Sequence, residues 1–475
     1  MFSTRRGFVT GAVGAAALAP LHARAGTGGI EVRQTAGPDK FKKLTSLSWR
    51  QDGKSAGPEI TLNPTVTFQE VLGFGAAFTE ASAYLINRMG PGARERFLHE
   101  LFSPSGLGIN ITRVCIGASD FATEMFSYDE GEPDPELRRF SIDRDRTYVL
   151  PGLLSARRIN PDLFVLASPW SPPGWMKNGG SMAGGNIKAA NLEVYAKYLV
   201  KFLEAYRAAG VPVNAITSQN EVDTDQGGRM PASVLSQENE VSLVGGYLAP
   251  AIAAAGLSTR IWLLDHNFNL WGRVLNTLEN PDVYRHAEGV AWHPYVGSPE
   301  AMTRIHNAYP TKGMYWTEGG FELAATALTA GGAQPADAET AIAHSGAGAT
   351  NALRNWARCL IDWNVALDEN GRPNIGPFNL KGTTTIDSKS GEVTARGPNY
   401  WIIKHLNQAA RRGATVIEST GQIDGIFHVA FVNTDGRNAM MLTNTGADRS
   451  VTIRNGGRSA EVVLPAKSVT NLHWT

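Results

Sequence analysis

Thr217-Ser-Gln-Asn-Glu221 reads as the end of a buried strand that finishes on a polar pair, Asn220-Glu221. Tyr315-Trp-Thr-Glu318 has the same character, an apolar and aromatic run that closes on a carboxylate. The two glutamates stand too far apart in the chain to share one helix or one hairpin. They suit the ends of two different strands of one barrel, and the rest of the chain reads as the frame that brings them together.

Outward from these runs the same pattern recurs. Short apolar, β-branched stretches fall at residues 71–78, 111–116, 163–167, 215–218, 261–264, 290–292, 314–316 and 359–367. Amphipathic stretches lie between them, clearest at 82–101, 191–209, 237–255 and 337–358. In one of these, Tyr195, Tyr198, Leu199, Phe202, Leu203 and Tyr206 follow the spacing of a single helix face, and Gly210 and Pro212 predict its stop. Eight strand–helix units predict an α/β fold, a (β/α)8 TIM barrel. A doubly wound sheet is the alternative. It calls for a glycine-rich phosphate turn after the first strand, but Gly73-Phe-Gly75 lies within a strand and no third glycine follows at the needed spacing.

The flanks differ in style. Residues 30–66 alternate as one or two strands outside the barrel. Beyond the last barrel helix, expected over 399–412, short alternating strands fall at 415–418, 426–433, 439–443, 451–454, 461–464 and 469–473, with Asp435-Gly and Asn455-Gly-Gly turns between them. These predict a side antiparallel β-sandwich, completed by the N-terminal strands and packed rigidly on the barrel. Ser3-Thr-Arg-Arg-Gly-Phe-Val9, a short apolar stretch and Ala23-Arg-Ala25 resemble a twin-arginine (Tat) signal peptide with its cleavage site. The expected division is therefore a signal at 1–25, sandwich strands at 26–70, a catalytic barrel at 71–412 and the sandwich proper at 413–475. Such a signal implies a periplasmic or secreted protein.

Composition narrows the partners. In 475 residues, Lys+Arg and Asp+Glu both number 44, so neither nucleic acid nor an anionic membrane surface is expected to bind. No apolar run reaches the length of a membrane span, ~20 residues, so no stable membrane insertion is expected either. Two cysteines cannot frame a fold, and Cys115 and Cys359 both sit in apolar runs as core residues.

Barrel active sites form where the strands end. The strand ends offer Arg113, Asp120, Trp170, Asn220, Glu221, Asp265, His266, His293, Tyr295, Glu318, Trp363 and Asn364. This is a cup rich in carboxylates and lined by aromatics. It has no Gly-x-Ser-x-Gly elbow and no His-Glu-x-x-His spacing, so neither a serine nucleophile nor a metal is expected. Two carboxylates facing across a polar cup are what glycosidic cleavage requires, one to protonate the leaving oxygen and one to attack or to activate water. The acid is expected to need a raised pKa. Asn220 can bond a sugar hydroxyl, and Tyr295 can donate to the nucleophile. Arg113 reads as an orienter of a carboxylate more than as a binder of substrate. Trp170 and Trp363 read as sugar platforms or as packing, and Asp265 and His266 as support.

These residues resemble glycoside hydrolase family 30, in its glucosylceramidase-like branch. The resemblance rests on Gly73-Phe-Gly-Ala-Ala-Phe-Thr-Glu-Ala-Ser-Ala83, Asn110-Ile-Thr-Arg113, Ala167-Ser-Pro-Trp-Ser-Pro-Pro-Gly-Trp-Met-Lys177, Gln219-Asn-Glu221, Trp316-Thr-Glu318 and Asp362-Trp-Asn-Val-Ala-Leu-Asp368, in order along the barrel. It implies a retaining mechanism without metal or cofactor. It also implies Glu221 as acid/base and Glu318 as nucleophile. A sugar subsite would be lined by Arg113, Asp120, Trp170, Asn220, Tyr295, Trp363 and Asn374, with His293 also counted among the substrate-binding residues. Asp120 and Trp170, placed for a terminal sugar, favour exo action. Two departures, Val222 where the family has Pro and Pro294 where the branch has an aromatic, fall on the aglycone side.

The expectation is thus an exported retaining β-glycosidase acting on a carbohydrate or glycoconjugate, glucosylceramidase-like and exo-acting. The alternatives are an endo-acting hydrolase of a β-glucan or xylan, and a non-catalytic carbohydrate-binding barrel. The sequence sets no oligomeric state.

Overall fold

The computed structural model describes residues 29–51, 57–326 and 337–475. The twin-arginine stretch lies outside these residues. Eight parallel strands close a barrel: β1 (Gly73–Ala76), β2 (Ile111–Ile116), β3 (Phe164–Pro169), β4 (Ala215–Thr217), β5 (Arg260–Asn267), β6 (Ala287–His293), β7 (Gly313–Trp316) and β8 (Ala357–Asp362). The ring closes where Cys359 of β8 pairs with Gly73 of β1. Gly75 is fixed by its neighbour, because a Cβ there would stand 1.9 Å from the carbonyl oxygen of Ile111.

The period-two alternation sets what faces inward. Ile111, Phe164, Leu166, Ala215, Trp262, Ala291, Tyr315 and Cys359 form one buried cluster inside the barrel. Trp262 and Tyr315 stack at 3.7 Å within it. Val114, Val165, Ile216, Val290 and Met314 point the other way, to the helices. One step further along β2 to β7 the inward position turns polar: Arg113, Ser168, Thr217, Asp265, His293 and, just past β7, Thr317. β5 reaches that layer through an irregularity. Ala291 pairs with Leu264 but Trp292 pairs with His266, and Leu264 and Asp265 both have positive φ, 71° and 50°. This bulge turns Asp265 into the barrel.

The helices depart from expectation where proline or glycine intervenes. The stretch at 82–101 is two helices, Glu80–Arg88 and Pro91–Phe102, because Pro91 lacks the N–H needed to continue the first. The stretch at 237–255 passes through a π-helical segment, Ser242–Leu248, just before Pro250. The expected long run 359–367 is broken at Asn364 (φ 69°), beyond which Ala366–Leu367 joins Thr384–Ile386 and Val393–Arg396 in a small sheet.

All six expected C-terminal strands form. They join four N-terminal ones (Glu31–Ala36, Asp39–Lys43, Arg50–Gln51 and Glu59–Glu70) in a ten-stranded sheet, where one or two had been expected. Its apolar side unites Val32, Leu442 and Leu472 with Ile60, Val451 and Val462, from both halves of the strand order. The sheet rests on helices Ala338–Arg354 and Pro398–Ala409. Thr35, His405 and Asn471 form a buried hydrogen-bonded chain across this contact. Gly346 lets the sheet approach, since a Cβ there would meet Thr443 at 2.6 Å. Cys115 and Cys359 are buried, and burial pushes both thiols up. Among the described residues no helix is long and apolar enough to cross a membrane.

The loop after β2, which carries Asp120, is anchored from below. The hydroxyls of Tyr128 and Tyr206 both donate to one oxygen of Asp145, each at 2.5 Å. Burial pushes the Asp145 carboxyl up to about 6, against the opposing pull of these bonds. The unfolded chain therefore releases this proton first, and stability falls as pH rises from about 4 to about 6, by roughly 3 kcal/mol. Asp145→Asn is expected to abolish that slope. In urea unfolding its stability should gain on the wild type by about that amount between pH 4 and 7; an unchanged difference at the two pH values would refute it.

Candidate active site

The polar layer at the strand ends is organised around Asp265. One of its oxygens accepts from Arg113 (2.7 Å), Ser168 (2.8 Å) and Thr217 (2.7 Å). The other accepts from Thr317 (2.6 Å) and meets His293 Nε2 at 3.0 Å. Burial opposes the charge on Asp265, but Arg113 and His293 outweigh it and hold the carboxyl far below the usual range. Five strands are thereby tied to one buried anion.

Arg113 carries the arrangement to the carboxylates. It is fully buried, donates to Glu318 Oε2 (2.5 Å), Asn220 Oδ1 (2.7 Å) and Ser168 (3.0 Å), and lies 4.6 Å over the Trp170 ring. All three of its side-chain nitrogens donate to protein acceptors, so it orients these side chains. Trp170 and Trp363 stack on each other at 5.2 Å, and both are almost wholly buried, so packing is a large part of what they do.

Glu221 follows β4 with its backbone in the left-handed region (φ 50°), tied by its N–H to the Asp265 carbonyl at 2.9 Å. Such backbone in a non-glycine residue costs roughly 1–2 kcal/mol and is held by its surroundings. Glu318 follows β7 and accepts from the Tyr295 hydroxyl at 3.0 Å. The two carboxylates face one imidazole. His293 Nδ1 lies 3.6 Å from Glu221 Oε1 and 3.8 Å from Glu318 Oε1, so these two oxygens are separated by no more than the sum of those distances.

The electrostatics correct one expectation. Glu221 is not raised. Burial favours its protonated form, but the nearby imidazoles of His293 and His266 and the Gln226 amide outweigh it and hold the carboxyl below its ordinary value. His293 is the partner in this balance: burial lowers it, but Glu318, Asp265 and Glu221 lift it to about 9. Burial and the charges of Glu318 and Glu221 push the Asp120 carboxyl well above its ordinary value.

Of the expected residues, Arg113, Asp120, Trp170, Asn220, Glu221, His293, Tyr295, Glu318 and Trp363 gather at this mouth. The Asn220 oxygen is spent on Arg113, and its NH2 has no protein partner among the described residues. Asn374 is the exception. Its amide donates to the Phe378 carbonyl and accepts from Gly376 N–H, so it shapes its own loop beside Asp120 instead of presenting the amide to the cup. His266 and His293, from separate strands, both face Glu221 Oε1, at 3.8 and 3.6 Å from their Nδ1 atoms. Sequence reading missed Gln226, whose Nε2 donates to Glu221, and the Ser168, Thr217 and Thr317 hydroxyls. The hydroxyls had a signal, since each is the inward residue two positions beyond an apolar inward one. Gln226 had none.

Two family models match the chain: the Glycosyl hydrolase family 30 TIM-barrel domain over residues 71–408, and the Glycosyl hydrolase family 30 beta sandwich domain over 413–472. The chain is similar to an endo-1,6-beta-D-glucanase of Neurospora crassa, at 29% identity over 435 residues covering 88% of this chain and 85% of that protein. It is also similar to the lysosomal acid glucosylceramidase of Mus musculus, at 26% over 442 residues covering 87% and 83%. A solved endo-beta1,6-glucanase superposes with a TM-score of 0.83 at 29% identity, over 94% of this chain and 99% of the other.

Proposed function

The chain belongs to glycosyl hydrolase family 30, and from that premise we propose that it is an endo-acting β-glucan hydrolase directed to β-1,6 linkages, working with retention of configuration. The observation that carries this reading is the agreement of sequence and structure. A relative and a solved structure that both bear the endo-1,6-β-glucanase name match this chain over most of its length. This reading displaces the exo-acting, glucosylceramidase-like expectation in favour of its endo alternative. A non-catalytic barrel is set aside with it, because the chain is a glycoside hydrolase.

In this reading Glu318, held by Arg113 and oriented by Tyr295, attacks the anomeric carbon. Glu221 gives its proton to the departing oxygen, then takes one from the water that releases the sugar. The resting carboxyl is held low, so substrate has work to do there. An aglycone entering beside Glu221 displaces water and raises the proton affinity of the carboxyl. A β-1,6 bond releases a primary alkoxide, a poor leaving group that needs this proton. Asp120 and the free amide of Asn220 are the donors and acceptors for sugar hydroxyls.

The test is digestion of a linear β-1,6-glucan, with β-1,3- and β-1,4-glucans, xylan, glucosylceramide and aryl β-glucosides in parallel. Oligosaccharides of mixed length, appearing early from the β-1,6-glucan alone and as the β-anomer by NMR, are expected. Release of glucose as the sole early product, or cleavage confined to glucosylceramide, would overturn the endo reading.

A further inference from the structure

Beside the catalytic pair, three donors converge in a way that hydrolysis does not require. Glu221, His266 and His293 each bring one ligand atom to within 4.8 Å of the others. Glu221 Oε1 lies 3.6 Å from His293 Nδ1 and 3.8 Å from His266 Nδ1. All three residues are more than nine-tenths buried. Independently of this spacing, both Nδ1 atoms are buried without any hydrogen-bond partner. Buried polar atoms are rarely left so, and an unoccupied ligand position is one of the few physical explanations.

The support around the cluster is of the kind that metal sites use. His293 Nε2 faces Asp265 Oδ1 at 3.0 Å, and Asp265 is itself fixed by three hydroxyls and Arg113. An ionised carboxylate can only accept, so Nε2 carries the hydrogen and Nδ1 is the atom turned to Glu221. Glu318 Oε1, 3.8 Å from the same Nδ1, offers a fourth ligand on that side. Two imidazoles and a carboxylate suit Zn²⁺, Co²⁺, Ni²⁺ or Cu²⁺ and disfavour Mg²⁺ and Ca²⁺, which take oxygen. Donors around a tetrahedral zinc stand about 3.3 Å apart. The observed spacings lie above that, by a distance that rotation of three side chains can close.

We infer that Glu221, His266 and His293 form a reversible binding site for a divalent transition-metal ion, whose occupation shuts off hydrolysis. The ion takes the place of any proton on His293 Nδ1, which leaves to solvent. It also ties up the Glu221 oxygen that would meet the leaving group. Inhibition follows if Glu221 is the acid of the proposed function; the binding itself does not depend on that assignment.

Co²⁺ separates the two. Added to the full-length, chelator-treated protein, it is expected to bind at one equivalent and to give visible d–d bands of low-symmetry nitrogen–oxygen coordination. Zn²⁺ should displace the bands. His266→Ala and His266→Gln, each checked for folding by circular dichroism, should lose the bands and weaken binding at least 10-fold, whereas Glu318→Ala, which removes only the fourth donor, should still bind Co²⁺ and show bands at shifted wavelengths. At the Zn²⁺ concentration that displaces Co²⁺, hydrolysis of a β-1,6-glucan should fall at least 10-fold and return with EDTA. Bands that survive both His266 substitutions, or their absence from the wild type, would overturn the site. Stoichiometric Zn²⁺ with hydrolysis unchanged would overturn the inhibition. Bands in a protein that hydrolyses no β-glycoside would uphold the site and sink the proposed function instead.

Discussion

Glu318→Ala is expected to lower kcat/KM for an aryl glycoside of a β-1,6-linked glucobiose by roughly 10⁴-fold or more while leaving the protein folded. The size follows from what is removed. Glu318 is the carboxylate held by Arg113 at 2.5 Å and by the Tyr295 hydroxyl at 3.0 Å, and the chain then has no group to trap the sugar as a covalent intermediate. The fold survives because Arg113 keeps its pairing with Asp265. Azide makes the test specific. In Glu318→Ala it can enter the space left by the carboxylate, attack from that face and give the α-glycosyl azide. In Glu221→Ala, the glycosyl-enzyme still forms from an activated substrate, and azide entering from the other face gives the β-product. Swapped anomers would exchange the two roles. Activity of Glu318→Ala within 10-fold of the wild type would remove the double-displacement mechanism altogether.

The carboxylates were visible in the sequence because each closes a strand whose apolar alternation is unbroken. Thr217 and Tyr315 point inward, and the glutamates come just beyond the strands. The same counting finds Arg113 between Ile111 and Cys115. It fails on β5. There the bulge at Leu264–Asp265 shifts the phase by one, and only the pairing with β6 reveals it. Asp265 was therefore read as peripheral support when it is the anion on which five strands meet. The convergence of His266 and His293 was hidden for the same reason, since strand order and tilt decide it and spacing does not. Gln226 reaches Glu221 through a turn with two successive left-handed residues, Gln226 and Gly227 (φ 52° and 61°), which no local propensity announces for glutamine. The helix breaks before Pro91 and Pro250 were written in the sequence, but amphipathic spacing ran straight through both.

Arg113→Met is expected to be the most destabilising single change at the site. Arg113 is a fully buried cation paired with two buried carboxylates, Asp265 at 2.7 Å and Glu318 at 2.5 Å. Methionine fills most of the volume but supplies no charge, leaving both anions facing the stacked Trp170 and Trp363. Breaking a buried pair from one side costs about 3–5 kcal/mol, because the partner's charge stays desolvated. His293 and the hydroxyls of Ser168, Thr217 and Thr317 still bond Asp265, which places the expected loss toward the lower end. The mechanism can be separated from mere loss of packing. Adding Asp265→Asn to Arg113→Met removes one of the stranded charges, so the double variant should be more stable than the single by roughly 1–2 kcal/mol in urea unfolding. Arg113→Lys keeps the charge but cannot fork to Glu318, Asn220 and Asp265 at once, so it should fall between wild type and Arg113→Met. Additive losses in the double variant would mean that Arg113 acts through packing alone. A cost below about 1 kcal/mol for Arg113→Met would mean that water reaches these carboxylates in the folded protein.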